Sequence, residues 1–257
     1  MGHRRRRAVA ALSLSAALAL AAGPAPAATV DIASVAAGLH YEYLSRTMTW
    51  NGDAASSRLQ SHLVTARADF RLAAGILVGL SAGFASTGDG TLTFATLPIS
   101  LRYDGSRFGG FVMGADAVVP VAEFSGFEIS GTGRFVYSFG SSRTWPLEGF
   151  AVEGEASGRS SWLEGAIGPR VSSRAFSGIV PYLEIWVRWL HAGFEMTETL
   201  GDLAGAETKS VDDFSFSVAL GADAALTDRI DLKALAGLAP CAGGVDGLVS
   251  VGLSYKF

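Results

Sequence analysis

The stretch Gly247–Phe257, GLVSVGLSYKF, decides the fold, and it runs to the last residue of the sequence. Val249, Val251, Leu253, Tyr255 and Phe257 occupy one parity, while Ser250, Gly252, Ser254 and Lys256 occupy the other. Strict alternation is the mark of a strand with one apolar and one polar face. The ends of soluble domains usually fray and tolerate change, so an exposed terminal aromatic would do little for one.

The same alternation recurs back through the chain. Residues 33–45 set Val35, Ala37, Leu39, Tyr41 and Tyr43 against Ser34, Gly38, His40 and Glu42. Residues 59–72 set Val64, Ala66, Ala68, Phe70 and Leu72 against Ser61, Thr65, Arg67, Asp69 and Arg71. Comparable patterns mark 75–86, 91–103, 107–119, 129–139, 161–173, 178–194, 212–226 and 229–239, with a weaker one at 149–156. The tally is about twelve segments. The region 140–160 is ambiguous, and without a strand there the total falls by two, to ten. Short turns separate most segments, and longer connections fall at 45–58, 119–128 and 195–211.

Within these segments nearly every Asp, Glu, Arg and Lys lies opposite the apolar stripe. After residue 28 no apolar run approaches the roughly 18 residues of a membrane helix. Only helices and edge-free barrels satisfy every backbone amide in lipid, so a membrane location requires a closed barrel. Its apolar parity would face hydrocarbon, where a basic side chain near the midplane costs on the order of 2–4 kcal/mol. Aromatics add two girdles, since amphipathic rings prefer the interface: Phe70, Tyr103, Phe139, Tyr255 and Phe257 at the periplasmic ends, and Tyr41, Tyr43, Phe84, Trp189 and Phe214 at the outer ends. The competing architecture is an exported soluble β-sandwich or lipocalin-like barrel, with the apolar parity turned inward.

The final strand resembles the closing strand of Gram-negative outer-membrane β-barrel proteins, which commonly end in Phe preceded by alternating apolar residues. The resemblance implies an all-β, transmembrane, antiparallel up-and-down barrel over 28–257, located in the cell outer membrane. It further implies that Val251, Leu253, Tyr255 and Phe257 form the signal read by the barrel assembly machinery. Periplasmic chaperones and outer-membrane lipid would be the other partners.

The first residues fit export. MGHRRRR, an apolar run AVAALSLSAALALAA and Ala25-Pro26-Ala27 make a secretory signal peptide over 1–27, cleaved near Ala27. Cleavage would remove four arginines and leave 16 basic against 24 acidic residues, a charge of about −8 that argues against nucleic acid. Cys241 is the one cysteine of the 257 residues, so no intramolecular disulfide is expected.

The inward parity defines the candidate site. Glu42, Arg67, Asp69, Arg71, Arg102, Asp116, Arg134, Glu164, Arg170, Glu184, Arg188, Asp223 and Lys233 are expected to line the lumen, with Glu153, Glu155 and Asp231 beside them. Charges removed from bulk water need partners, so the set reads as a salt-bridge network or as the wall of a selective pore. Small residues such as Gly79, Gly83, Ser217, Gly221, Ser250 and Gly252 would leave room for a narrow passage unless Trp162, Tyr182, Trp186 and the arginines reach across it. The leading functional expectation is a porin-like passive channel for small polar solutes or ions. The alternative is a closed structural or surface-recognition barrel acting through its extracellular loops, and a more distant one is an outer-membrane hydrolase. His40, His62 and His191 carry no recognisable hydrolase motif, so no enzyme, no metal site and no cofactor are expected.

Overall fold

The computed structural model describes residues 31–51, 56–94, 101–104, 107–148, 152–241 and 244–257. The proposed signal peptide lies outside the described residues. The strands are β1 (Ile32–Met48), β2 (Ser57–Leu72), β3 (Leu77–Gly88), β4 (Thr91–Phe94), β5 (Leu101–Asp104), β6 (Arg107–Phe124), β7 (Phe127–Gly140), β8 (Ser142–Pro146), β9 (Gly154–Ser173), β10 (Ile179–Leu200), β11 (Leu203–Ala225), β12 (Ile230–Cys241) and β13 (Gly244–Lys256). All pairings are antiparallel. Ten strands close a ring in the order β1-β2-β3-β6-β7-β9-β10-β11-β12-β13, with β13 returning to β1. This is the smaller of the two counts that the alternation allowed.

Closure joins the ends of the chain. Ala36 pairs with Lys256 and Ser45 with Gly247, and the Phe257 amide donates to the Val35 carbonyl at 3.1 Å. The parity is as the sequence dictates. Leu39, Val64, Leu80, Phe84, Phe111, Phe135, Ile167, Phe214, Phe216, Leu220, Val251 and Leu253 are exposed on the outside of the ring. Glu42, Thr65, Asp69, Glu164, Glu184 and Arg188 are buried within it. The outward apolar band is bounded on each strand. On β9 it runs from Leu163 to Val171 and gives way to Ser161, Arg159, Ser157 and Glu155. On β10 it ends at Trp189, and on the paired β11 at Phe214.

Among the described residues, segments 91–103 and 149–156 supply no separate ring strand, and this reorders the ends. β4 and β5 pair only with each other, Thr91 with Asp104 and Phe94 with Leu101. β6 then pairs directly with β3, from Leu77↔Val118 to Gly88↔Arg107. The 142–146 segment forms the short β8 on the flank of β9, and Glu155 belongs to the outward face of β9 rather than to the lumen. With one crossing removed before β6 and another after β7, the directions of these two strands invert relative to expectation. The β6–β7 turn at Ser125–Gly126 therefore sits with the other short turns, and Phe139 with the long connections. The 195–211 stretch is no loop either. β10 and β11 run on through 22 and 23 residues to pair Leu200 with Leu203, whereas about 9–11 residues suffice to cross hydrocarbon. The surplus of β9, β10 and β11, flanked by β8, stands beyond the apolar band.

Replacing Leu220 by Arg tests which face meets lipid, since this side chain lies on the outward face of β11 inside the band. The expected loss is about 2–4 kcal/mol in urea unfolding of protein refolded into liposomes. Gln60→Arg, beyond the band on β2, should change stability by less than about 1 kcal/mol.

Candidate functional site

The inward side chains divide into two levels. At the depth of the apolar band they form an ion-pair network. Arg134 on β7 donates to Glu42 on β1 across the lumen. Arg67 on β2 donates to Asp116 on β6 at 2.5 and 2.8 Å and to Asp69 at 2.8 Å. Lys233 on β12 reaches the other oxygen of Asp69, also at 2.8 Å. Arg170 on β9 donates to Asp223 at 2.8 Å, lies 3.7 Å from Glu184, and stacks 3.5 Å over the Tyr182 ring. Arg188 on β10 grips both oxygens of Glu164 at 2.7 and 2.6 Å. Asp231 pairs with Lys256 at 2.9 Å. Antiparallel ladders bring these residues together because side chains of one parity on neighbouring strands share a face.

Small residues opposite the bulky ones are filled against. A Cβ on Gly79 would overlap the Arg67 guanidinium, and one on Gly221 would overlap the Tyr182 ring. The space on that wall is thus taken by side chains reaching across it. What remains is a cavity of about 140 Å³ bordered by Glu42, Arg67, Asp116, Arg134, Tyr182 and Lys233. A second, of about 290 Å³, opens at the turn end and includes Arg71, which is exposed there. Arg102 falls on β5, off the ring, and its side chain lies outside the described residues.

Toward the loop end the lumen changes character. Leu44, Met48, Leu59, Leu63, Phe108, Val112, Val136, Trp162, Leu190, Phe194, Met196 and Leu248 form one buried apolar cluster on the inner faces of the strands. Leu92 and Phe94 of β4 fold into it, and Phe94 lies 5.5 Å from the Phe194 ring. Polar tips in the cluster are satisfied locally: Trp162 Nε1 donates to Thr87 at 3.1 Å, and Trp50 Nε1 donates to Ser57 at 2.6 Å. Arg46, also fully buried, is held by Asp213 at 2.5 Å and by Asp246 at 3.8 Å.

Asp89 is the exception. It follows β3 beyond the outward band, is 0% exposed, and neither carboxylate oxygen has a hydrogen-bond partner. Burial pushes its pKa up to about 7, opposed only by the Ser160 hydroxyl.

The sequence carries a signal for this level. Leu44, Leu59, Leu63, Leu190, Phe194 and Met196 break the polar parity of their own strands, all at the same end. Arg46, Asp89 and Asp246 fall between the alternating segments, yet Arg46 continues the parity of Glu42 and Asp246 that of Ser250.

The histidines do not converge. His40 Nε2 lies 2.9 Å from Ser250 Oγ inside the lumen, but Glu42 on the same face is taken by Arg134, and among the described residues no carboxylate hydrogen-bonds His40. His62 and His191 are on the outer face, 2.8 Å from the Tyr41 hydroxyl and 2.9 Å from Asp212. Among the described residues there is no cluster of three or more His, Cys, Asp or Glu suited to a metal ion.

No protein-family model and no curated protein sequence matches the chain. Solved structures do match. The outer-membrane protease OmpT of Escherichia coli aligns with a TM-score of 0.53 and 11% identity, over 89% of this chain and 98% of that one. The translocator domain of the autotransporter NalP from Neisseria meningitidis gives 0.49 and 11%, over 96% of each. Ail of Yersinia pestis gives 0.35 and 11%, over 87% and 97%. The fold is that of the outer-membrane β-barrel proteins. In such barrels the short turns face the periplasm and the longer connections the exterior; here the apolar cluster lies at the end of the longer connections and the 290 Å³ cavity at the short-turn end.

Removing one partner of an enclosed ion pair leaves an uncompensated charge. Arg188→Ala, which strands Glu164, should lower the unfolding free energy by about 3–5 kcal/mol. Arg174→Ala at the exposed turn end, where the partners are Glu123 and Glu128, should cost about 1 kcal/mol or less. Urea titration of both variants in the same lipid checks the difference.

Proposed function

We propose that the protein is a closed barrel of the outer membrane that works at the cell surface through its extracellular extension, rather than a porin-like passive channel. The observation that carries this reading is the apolar cluster spanning the extracellular half of the lumen. A diffusion pore needs a continuous wet path lined by polar groups. Here Leu, Phe, Met and Trp side chains meet one another across the barrel, and the charges below them are engaged in pairs rather than offered to passing ions.

The extension supports a recognition role. Its convex face on β8 to β11 is polar, with Thr144, Ser157, Arg159, Glu195, Thr197, Thr199 and Thr208. Its concave face is anchored by the cluster, so the strands form a rigid platform above the membrane. The signal peptide over 1–27 and the assembly signal at Val251, Leu253, Tyr255 and Phe257 belong to the same reading. They deliver the chain through periplasmic chaperones to the barrel assembly machinery. No reaction is assigned: among the described residues the outer-face histidines His62 and His191 lie against the Tyr41 hydroxyl and the Asp212 carboxylate rather than a serine, threonine or cysteine.

Planar-bilayer recording of the pure refolded protein at pH 5 tests the closed barrel. Inserted protein should show no stepwise conductance. Reproducible unitary steps from most insertions would restore the channel reading.

A further inference from the structure

An ionisable side chain enclosed among apolar groups without a partner is costly to charge, and Asp89 is placed where that cost has a mechanical outlet. The residue lies between β3, a wall strand, and β4, which carries Leu92 and Phe94 into the extracellular cluster. Gly90 between them has φ +73°, a left-handed conformation open to glycine and strained for other residues. Both Asp89 oxygens and the Ser160 Oγ on β9 are buried without a hydrogen bond of normal geometry. We propose that Asp89 is a proton-controlled latch: protonated, it lets β4 seal the extracellular mouth, and ionised, it swings toward water about Gly90 and withdraws Leu92 and Phe94 from the cluster. The inference presupposes the closed barrel proposed above and adds a means of regulating it.

Most charged groups of the surrounding elements have partners of their own. Arg58 of β2 touches Gly90 through its backbone, while its guanidinium lies beside Gly244. Arg159 of β9 donates to the Gly140 carbonyl and Arg143 of β8 to the Arg107 carbonyl. Arg46 of β1 is held by Asp213 of β11 and Asp246 of β13. Lys209 and Glu207 of β11 pair at 3.3 Å, and Glu198 of β10 is buried in the same mouth. On β7 the nearest charge is Arg134, bound to Glu42.

The sign follows from where the proton is held more tightly. With the mouth sealed, Asp89 titrates near 7; once in water it titrates near the ordinary aspartate value of about 3.9. The sealed form is therefore favoured in full below about pH 4. The advantage falls about tenfold per pH unit up to about 7, and is constant above that.

A nitroxide on Thr93→Cys, an exposed position on β4, reports the motion. It is carried in the full chain with Cys241→Ala and refolded into liposomes. Its spectrum should be immobile at pH 4.5 and shift to a mobile component as pH rises to 8. In the Asp89→Asn background it should stay immobile throughout, with Trp fluorescence confirming that this variant is folded. Equal mobility at both pH values in the parent overturns the latch. So does a transition that survives in Asp89→Asn. The bilayer recording separates the two readings. Silence at pH 5 with a label insensitive to pH removes the latch alone, whereas conductance at pH 5 removes the closed barrel.

Discussion

Every backbone amide at membrane depth must find its partner within the protein, because hydrocarbon supplies none. That constraint makes the sheet close, and closure makes parity absolute. Once β13 pairs with β1, each residue points either to lipid or to the lumen, and a slip of one position would exchange the two sets. The charged residues therefore collect inside, and being inside they must pair. The ion-pair network from Arg67 to Lys233 is a consequence of the wall rather than an addition to it.

The half at the long connections obeys a different rule. Above the apolar band the outer face meets water and turns polar, so the inner face can be apolar, as in a soluble sandwich. β9, β10 and β11 pass through both regimes along one strand. Trp189 faces lipid and Glu195 faces water on the same side of β10, while Trp186 and Arg188 give way on the other side to Leu190 and Phe194. The molecule is a membrane barrel at one end and a conventionally packed β-domain at the other, without a break in its hydrogen-bonded ladders.

Much of this was legible in the chain. The wall strands, their facing and the pairing of residues such as Glu42, Arg67, Asp116 and Arg188 within one enclosed space follow from alternation alone. Alternation cannot say whether a segment crosses the membrane or only pairs with a neighbour. Segments 91–103 and 149–156 alternate as ring strands do, yet the described residues of the first pair with each other as β4 and β5, and Gly154 to Ala156 of the second extend β9. Partner choice is long-range: β6 pairs with β3 over Leu77–Gly88, which nothing within 91–103 foretells. The buried apolar cluster is hidden for another reason. Its residues depart from the expected parity, and each departure taken singly reads as noise; only their collection at one end of the barrel gives them meaning.

The seam between β1 and β13 sets the order of events by which the molecule can be made. Ala36 finds Lys256 only when nearly the whole polypeptide is present, so the seam edge of each terminal strand lacks its mate during synthesis. Until then two unsatisfied edges and a greasy exterior travel together through water. Contacts so distant in sequence form slowly, and a chain in that condition is prone to self-association. The architecture that is most secure when complete is thus the one most in need of escort beforehand.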